Sequence, residues 1–88
     1  MKEIRITYDN QTVKFGRTED SGWKRGGWCA NLPNGDLIVV RRNCRDNAWL
    51  EVCIHNQVAI RSMRHRTRQA ALNSAALEII AANWKPWN

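Results

Sequence analysis

The stretch Ile4-Arg5-Ile6-Thr7-Tyr8-Asp9-Asn10-Gln11-Thr12-Val13-Lys14-Phe15 decides the fold. Apolar and polar residues alternate on either side of Asp9-Asn10, which is the period of a strand with one buried face. A two-residue turn at Asp9-Asn10 sets Ile6 opposite Val13 and Ile4 opposite Phe15. The apolar side chains of both strands then share one face, which is what a hairpin register has to achieve. Asp and Asn tolerate the positive φ that such a turn requires.

Working outward, Thr18-Glu19-Asp20-Ser21-Gly22-Trp23-Lys24-Arg25-Gly26-Gly27 is polar and glycine-rich and reads as an exposed loop longer than most hairpin connections. A second hairpin spans Trp28 to Arg42 and turns at Pro33-Asn34-Gly35-Asp36, where Asn-Gly between apolar runs is a strong turn signal. Leu37-Ile38-Val39-Val40 has no polar interruption, so this strand is expected to be central and covered on both faces. Asn43-Cys44-Arg45-Asp46-Asn47 is a turn. A third hairpin joins Trp49–Ile54 to Val58–Met63; a three-residue loop, His55-Asn56-Gln57, aligns Leu50, Val52 and Ile54 with Val58 and Ile60 on one face. Thr67 is a candidate N-cap for a helix running to about Asn83. Leu72, Ala76, Ile79, Ile80 and Asn83 fall on one helical face, with Leu77 and Trp84 widening it, and Pro86 stops the helix.

These elements predict one α+β domain over residues 1–88. It is an antiparallel β-meander of five to six strands, in three hairpins, with one C-terminal α-helix packed on the sheet. The expected core is Ile4, Ile6, Val13, Val39, Val52, Ile60, Leu72, Ile79 and Ile80. With 88 residues, 43% apolar and 25% charged, the chain has room for one modest core. No apolar run reaches the ~18–20 residues that cross a bilayer. Met1-Lys2-Glu3-Ile4-Arg5 lacks the apolar stretch of a signal peptide, so a cytoplasmic protein without a membrane partner is expected. Cys29, Cys44 and Cys53 are odd in number and irregular in spacing, which fits free thiols rather than a disulfide framework. Cys53 and His55 share a strand face, yet no ligand pair stands two to four residues apart, so neither a metal nor another cofactor is expected.

The net charge of +6 comes from ten arginines and four lysines against eight acids. Arginine is preferred where a planar donor fork meets phosphate or carboxylate. Three basic groups stand out. Arg61, Arg64, Arg66 and Arg68 lie between the last strand and the helix; if that segment is extended, Arg64, Arg66 and Arg68 project to one side. They sit at the positive end of the helix macrodipole, where cations are unfavourable by about 0.3–1 kcal/mol each. Such a violation of a local rule tends to mark a functional site. The competing reading pairs these arginines with acids elsewhere, Glu51 or Asp46. Arg41, Arg42 and Arg45 form the second group, and Lys24 and Arg25 the third. Trp23 beside the third group is a candidate stacking aromatic, whereas Trp28, Trp49 and Trp84 fall on apolar patterns and are expected in the core.

The segment from Trp28 to Trp84, with its basic strands followed by a helix, loosely resembles the three-strand-plus-helix DNA-binding domains of phage integrases. That resemblance implies a sheet that enters a groove and a helix that braces it. In size and charge the chain is also similar to phage-encoded inhibitors such as anti-CRISPR proteins. The leading expectation is a non-enzymatic protein whose arginine-rich face binds nucleic acid, DNA or RNA, or another polyanion. The second is an inhibitor or adaptor of the phage or mobile-element type, docked on an acidic or nucleic-acid-binding surface of a larger complex. The third is a basic ribonuclease toxin using His55 and His65 as acid and base. No phosphate loop, nucleophile elbow or paired-carboxylate motif is present in the sequence.

Overall fold

A computed structural model describes residues 3–18, 27–43 and 45–83. Six strands follow in chain order: β1 (Glu3–Tyr8), β2 (Gln11–Thr18), β3 (Gly27–Asn31), β4 (Leu37–Arg42), β5 (Trp49–His55) and β6 (Val58–His65). One helix, α1 (Arg68–Asn83), closes the chain's described part. Every strand pairs antiparallel with its neighbour in sequence, giving one sheet in the order β1-β2-β3-β4-β5-β6. This is the six-strand antiparallel meander with a single helix on it that the alternation and turns imply.

The first hairpin has the expected register, Ile6 opposite Val13 and Ile4 opposite Phe15. Its turn residues take positive φ, 49° at Asp9 and 65° at Asn10. The apolar residues of β1 and β2 therefore meet those of β3 and β4 on one face, and α1 lies across it. Phe15, Trp28, Ile38 and Val40 from the sheet pack with Ala71, Leu72, Ala75, Ala76 and Ile79 from the helix. The helix contributes mostly alanine and the sheet the bulky residues, an interlocking of small against large. Thr67 caps α1: its Oγ1 accepts the Ala70 N–H at 3.1 Å.

β4 is central, with Ile38, Val39 and Val40 all buried. Ile38 and Val40 face α1, and Val39 pairs with Val52 on the opposite face. Where β3 enters the sheet, Gly27 lies against β4; a Cβ there would meet the Val40 carbonyl oxygen at 2.9 Å. Among the described residues no helix is long and apolar enough to cross a membrane.

Three sequence expectations are corrected. The β5–β6 connection is a two-residue turn, with positive φ at Asn56 (49°) and Gln57 (67°), so Val58 pairs with His55 and Ala59 with Ile54. Glutamine is an uncommon residue for that conformation, and no Asn-Gly signal announces it. A register irregularity between Cys53 and Ile54 then shifts the ladder, so that Cys53 pairs with Arg61. Ile60 falls at this bulge on an edge strand and is 58% exposed rather than core. Leu77 is 48% exposed; at 3.6 residues per turn it lies roughly 140° around the helix from Leu72, away from the sheet. Of the other expected core residues, Ile4 and Ile80 are half-buried against the core, and Trp84 lies outside the described residues.

Ile79→Ala should lower unfolding free energy by about 2–5 kcal/mol, because the cavity opens where helix meets sheet. Ile60→Ala should cost less than about 0.5 kcal/mol, as expected of an exposed position. Urea denaturation of both variants measures the contrast, and similar losses for the two would contradict the exposed placement of Ile60.

Candidate functional site

A meander alternates its connections between two ends of the sheet. The turns at Asp9-Asn10, at Pro33–Asp36 and at Asn56-Gln57 lie at one end. That end carries Asp9, Asp36 and His55 and, in these turns, no Lys or Arg. At the other end β2 leaves the sheet after Thr18, β3 enters at Gly27, β4 turns into β5, and β6 passes into α1. The second arginine group and the arginines beyond Ser62 thus meet at one end. The register makes this specific: Arg41, Leu50 and Arg64 form one cross-strand row, and Arg42, Trp49 and His65 the next. Two strand spacings separate the outer members of each row, about 9.5 Å.

The β4–β5 turn is built by its own side chains. The Asn43 Oδ1 accepts the Arg45 N–H at 3.2 Å, and the Asp46 Oδ1 accepts the Ala48 N–H at 3.1 Å. This geometry presents Arg45 outward and aims the second oxygen of Asp46 at Arg64, whose guanidinium donates to it. The Asp46 carboxyl is held below its ordinary value of 3.8, first by the Ala48 N–H and then by the Arg64 hydrogen bond. Asp46, Asn47, Ala48, Arg64, His65 and Arg66 line a shallow cleft of about 310 Å³.

Some of the candidate cations are therefore spent. Arg64 pairs with Asp46, as the competing reading supposed, and Arg61 pairs with Glu78 of α1. Glu51 receives a histidine and not an arginine: its Oε1 lies 3.0 Å from His65 Nε2. The Glu51 side chain is 3% exposed, and its Oε2 is buried without a hydrogen-bond partner in the described structure. Arg41 is half-buried. Arg42, Arg45, Arg66 and Arg68 are exposed, and their side chains make no ion pair or hydrogen bond among the described residues. β6 ends at His65, so Arg64, Arg66 and Arg68 do not share one side of an extended segment; Arg68 opens the helix. The first turn of α1 holds no acid, so its free N–H groups add positive potential at this same end.

Trp23, Lys24 and Arg25 lie outside the described residues, as do Cys44 and Trp87. Trp28 is buried in the core, with the Arg17 guanidinium 5.2 Å from its ring centre, and Trp49 packs on that core. Cys29 and Cys53 lie on opposite faces of the sheet, since Cys29 pairs with Val39 and Cys53 with Ile38. Among the described residues no group of three or more His, Cys, Asp or Glu is placed to hold a metal ion. His55 pairs with Asp36 at 2.6 Å at the far end of the sheet. The length of β6, about 23 Å, separates it from His65, too far for the two to serve one phosphodiester. The roles of Asp46 and Glu51 were legible only as possible arginine partners, and the stacking of Arg17 on Trp28 was not legible at all.

No protein-family model matches this chain, and no curated protein or solved structure matches it either. Function has to be read from the geometry.

A folded carboxylate held low contributes stability that is fully present above its unfolded pKa and is lost as pH falls through the folded value. Carboxyl-detected NMR should therefore place the Asp46 midpoint below 3.8. Arg64→Ala should raise that midpoint only part of the way, because the larger cause, the Ala48 N–H, remains. Full restoration to the ordinary value would contradict the order of the two causes.

Proposed function

We propose that the chain binds the phosphate backbone of nucleic acid, or a comparable polyanion, through the basic end of its sheet. One observation carries this reading: Arg42, Arg45, Arg66 and Arg68 come from separate parts of the sequence, gather at one end, and are exposed without acidic partners among the described residues. Four like charges held together oppose folding through mutual repulsion. The helix N-terminus beside them deepens that cost. A polyanion relieves both, since guanidinium forks and free helix N–H groups are donors suited to phosphate oxygens. The Asp46–Arg64 pair at the edge of the cluster holds one further cation in reserve.

Contacts of this kind give affinity and position without reading bases. Among the described residues no exposed tryptophan flanks the cluster, Trp28 being buried and Trp49 half-buried. The reading is therefore of a backbone binder without sequence preference at this surface. An acidic protein surface would meet the same guanidinium groups with carboxylates. Salt separates the two, because duplex DNA releases condensed counterions with a slope of about −0.9 per phosphate contacted.

Binding to a labelled duplex, followed by anisotropy over a salt series, tests the proposal. Replacing Arg45, Arg66 and Arg68 with Ala should flatten the slope by up to about three units. Stability should hold or rise slightly, as cations leave the helix N-terminus. Asp46→Asn should act in the opposite direction: it keeps an acceptor for the Ala48 N–H, frees Arg64, and steepens the slope by about one unit. A chain that shows no salt-dependent binding to DNA or RNA would sink the proposal. A protein partner recovered from nuclease-treated host lysate by the unmodified chain but not by the triple variant would replace it with the acidic protein surface.

A further inference from the structure

The two edges of the sheet are protected differently. On β1 the apolar residues Ile4, Ile6 and Tyr8 pack toward the core beneath α1, and the outward Glu3 and Arg5 pair at 2.6 Å. On β6 every residue from Val58 to Arg64 is exposed and only His65 is half-buried. Val58, Ile60 and Met63 are 60%, 58% and 44% exposed. The bulge lies at the Ile60 end, so Arg61 to His65 remain a regular edge, opposite Cys53 to Trp49. A long, regular edge with exposed apolar side chains is a template for another strand. Charge is the usual guard on such an edge, but here Arg61 and Arg64 are already neutralised by Glu78 and Asp46.

We infer that β6 accepts an extended segment of a protein partner as a seventh strand, a contact beyond the phosphate binding proposed above. The segment is apolar where it flanks Val58, Ile60 and Met63 and acidic where it passes His65 toward Arg66 and Arg68. Charge complementarity selects this occupant. β6 itself contains no acidic residue, so a second copy paired edge to edge would have no carboxylate to offer those arginines. Main-chain hydrogen bonds supply affinity in such strand addition, and alternate side chains supply selection.

The probe is a synthetic peptide of alternating valine and threonine with a run of glutamates at its N-terminus. Antiparallel docking on β6 sets those glutamates beside Arg66 and Arg68. Titration into the isotope-labelled full chain should shift and protect the amides of β6, from Val58 to His65. The same peptide with lysines in place of glutamates should bind at least about tenfold more weakly. The double variant Ile60→Gln with Met63→Gln alters only exposed side chains; it should weaken peptide binding about tenfold while leaving the salt slope on duplex DNA unchanged. That pairing keeps failure here distinct from failure of the phosphate-binding reading. Shifts confined to Arg42, Arg45, Arg66 and Arg68, equal binding of the lysine peptide, self-association through β6, or an oligonucleotide that protects the β6 amides would each overturn the inference.

Discussion

Nearest-neighbour pairing of the strands is the constraint on which everything else rests. Once each strand bonds to the next in sequence, connections must alternate between the two ends of the sheet. No side chain has to steer Arg42 and Arg45 toward Arg66 and Arg68; the backbone ladder does so. The pairing holds because each hairpin offers apolar residues on a common face and because one helix packs across the sheet, from β1 at one edge to β6 at the other. The alanine-rich stripe of α1 suits this task. Bulky helix residues would compete for the volume already filled by Phe15, Trp28 and Ile38.

Charge is distributed by the same ladder. The end with Asp9, Asp36 and His55 is cross-linked locally, with His55 holding Asp36 of the neighbouring turn. The other end gathers Arg42, Arg45, Arg66 and Arg68, which have no ion pair among the described residues, and the positive terminus of α1. Electrostatic repulsion within one small region is a cost to the folded state, and among the described residues no acid pairs with Arg42, Arg45, Arg66 or Arg68. Asp46 and Glu51 answer only Arg64 and His65. Glu51 adds a cost of its own: a buried carboxylate oxygen without a partner costs about 1–3 kcal/mol. Costs left in place at one end of an otherwise consistent fold are the energetic ground for the binding surface proposed there. The exposed β6 edge runs into this end of the sheet at His65.

Much of this was legible in the residues. The period of two around Asp9-Asn10 fixed a register, the unbroken run Leu37–Val40 marked the central strand, and Thr67 marked the start of the helix. Each is a local signal, carried by neighbours in sequence. The misreadings were also local. Asn56-Gln57 lacks the glycine that announces a two-residue turn, and a bulge leaves no compositional trace, so Ile60 kept its apolar label while losing its place in the core. Leu77 is apolar on the wrong arc of its helix, where composition alone looks the same.

The sequence by itself determined that the chain is basic, rich in arginine, and organised as hairpins before a capped helix. Those properties depend on residue type and short spacing. Only the tertiary structure decided which arginines are available. Arg64 meets Asp46 across eighteen positions and His65 meets Glu51 across fourteen, while Arg61 reaches Glu78 on another element. Ion pairing depends on distances set by strand register and helix placement. Arginines that look alike in the sequence therefore differ once folded: Arg61 and Arg64 pair with acids, whereas Arg42, Arg45, Arg66 and Arg68 are exposed without an acidic partner among the described residues.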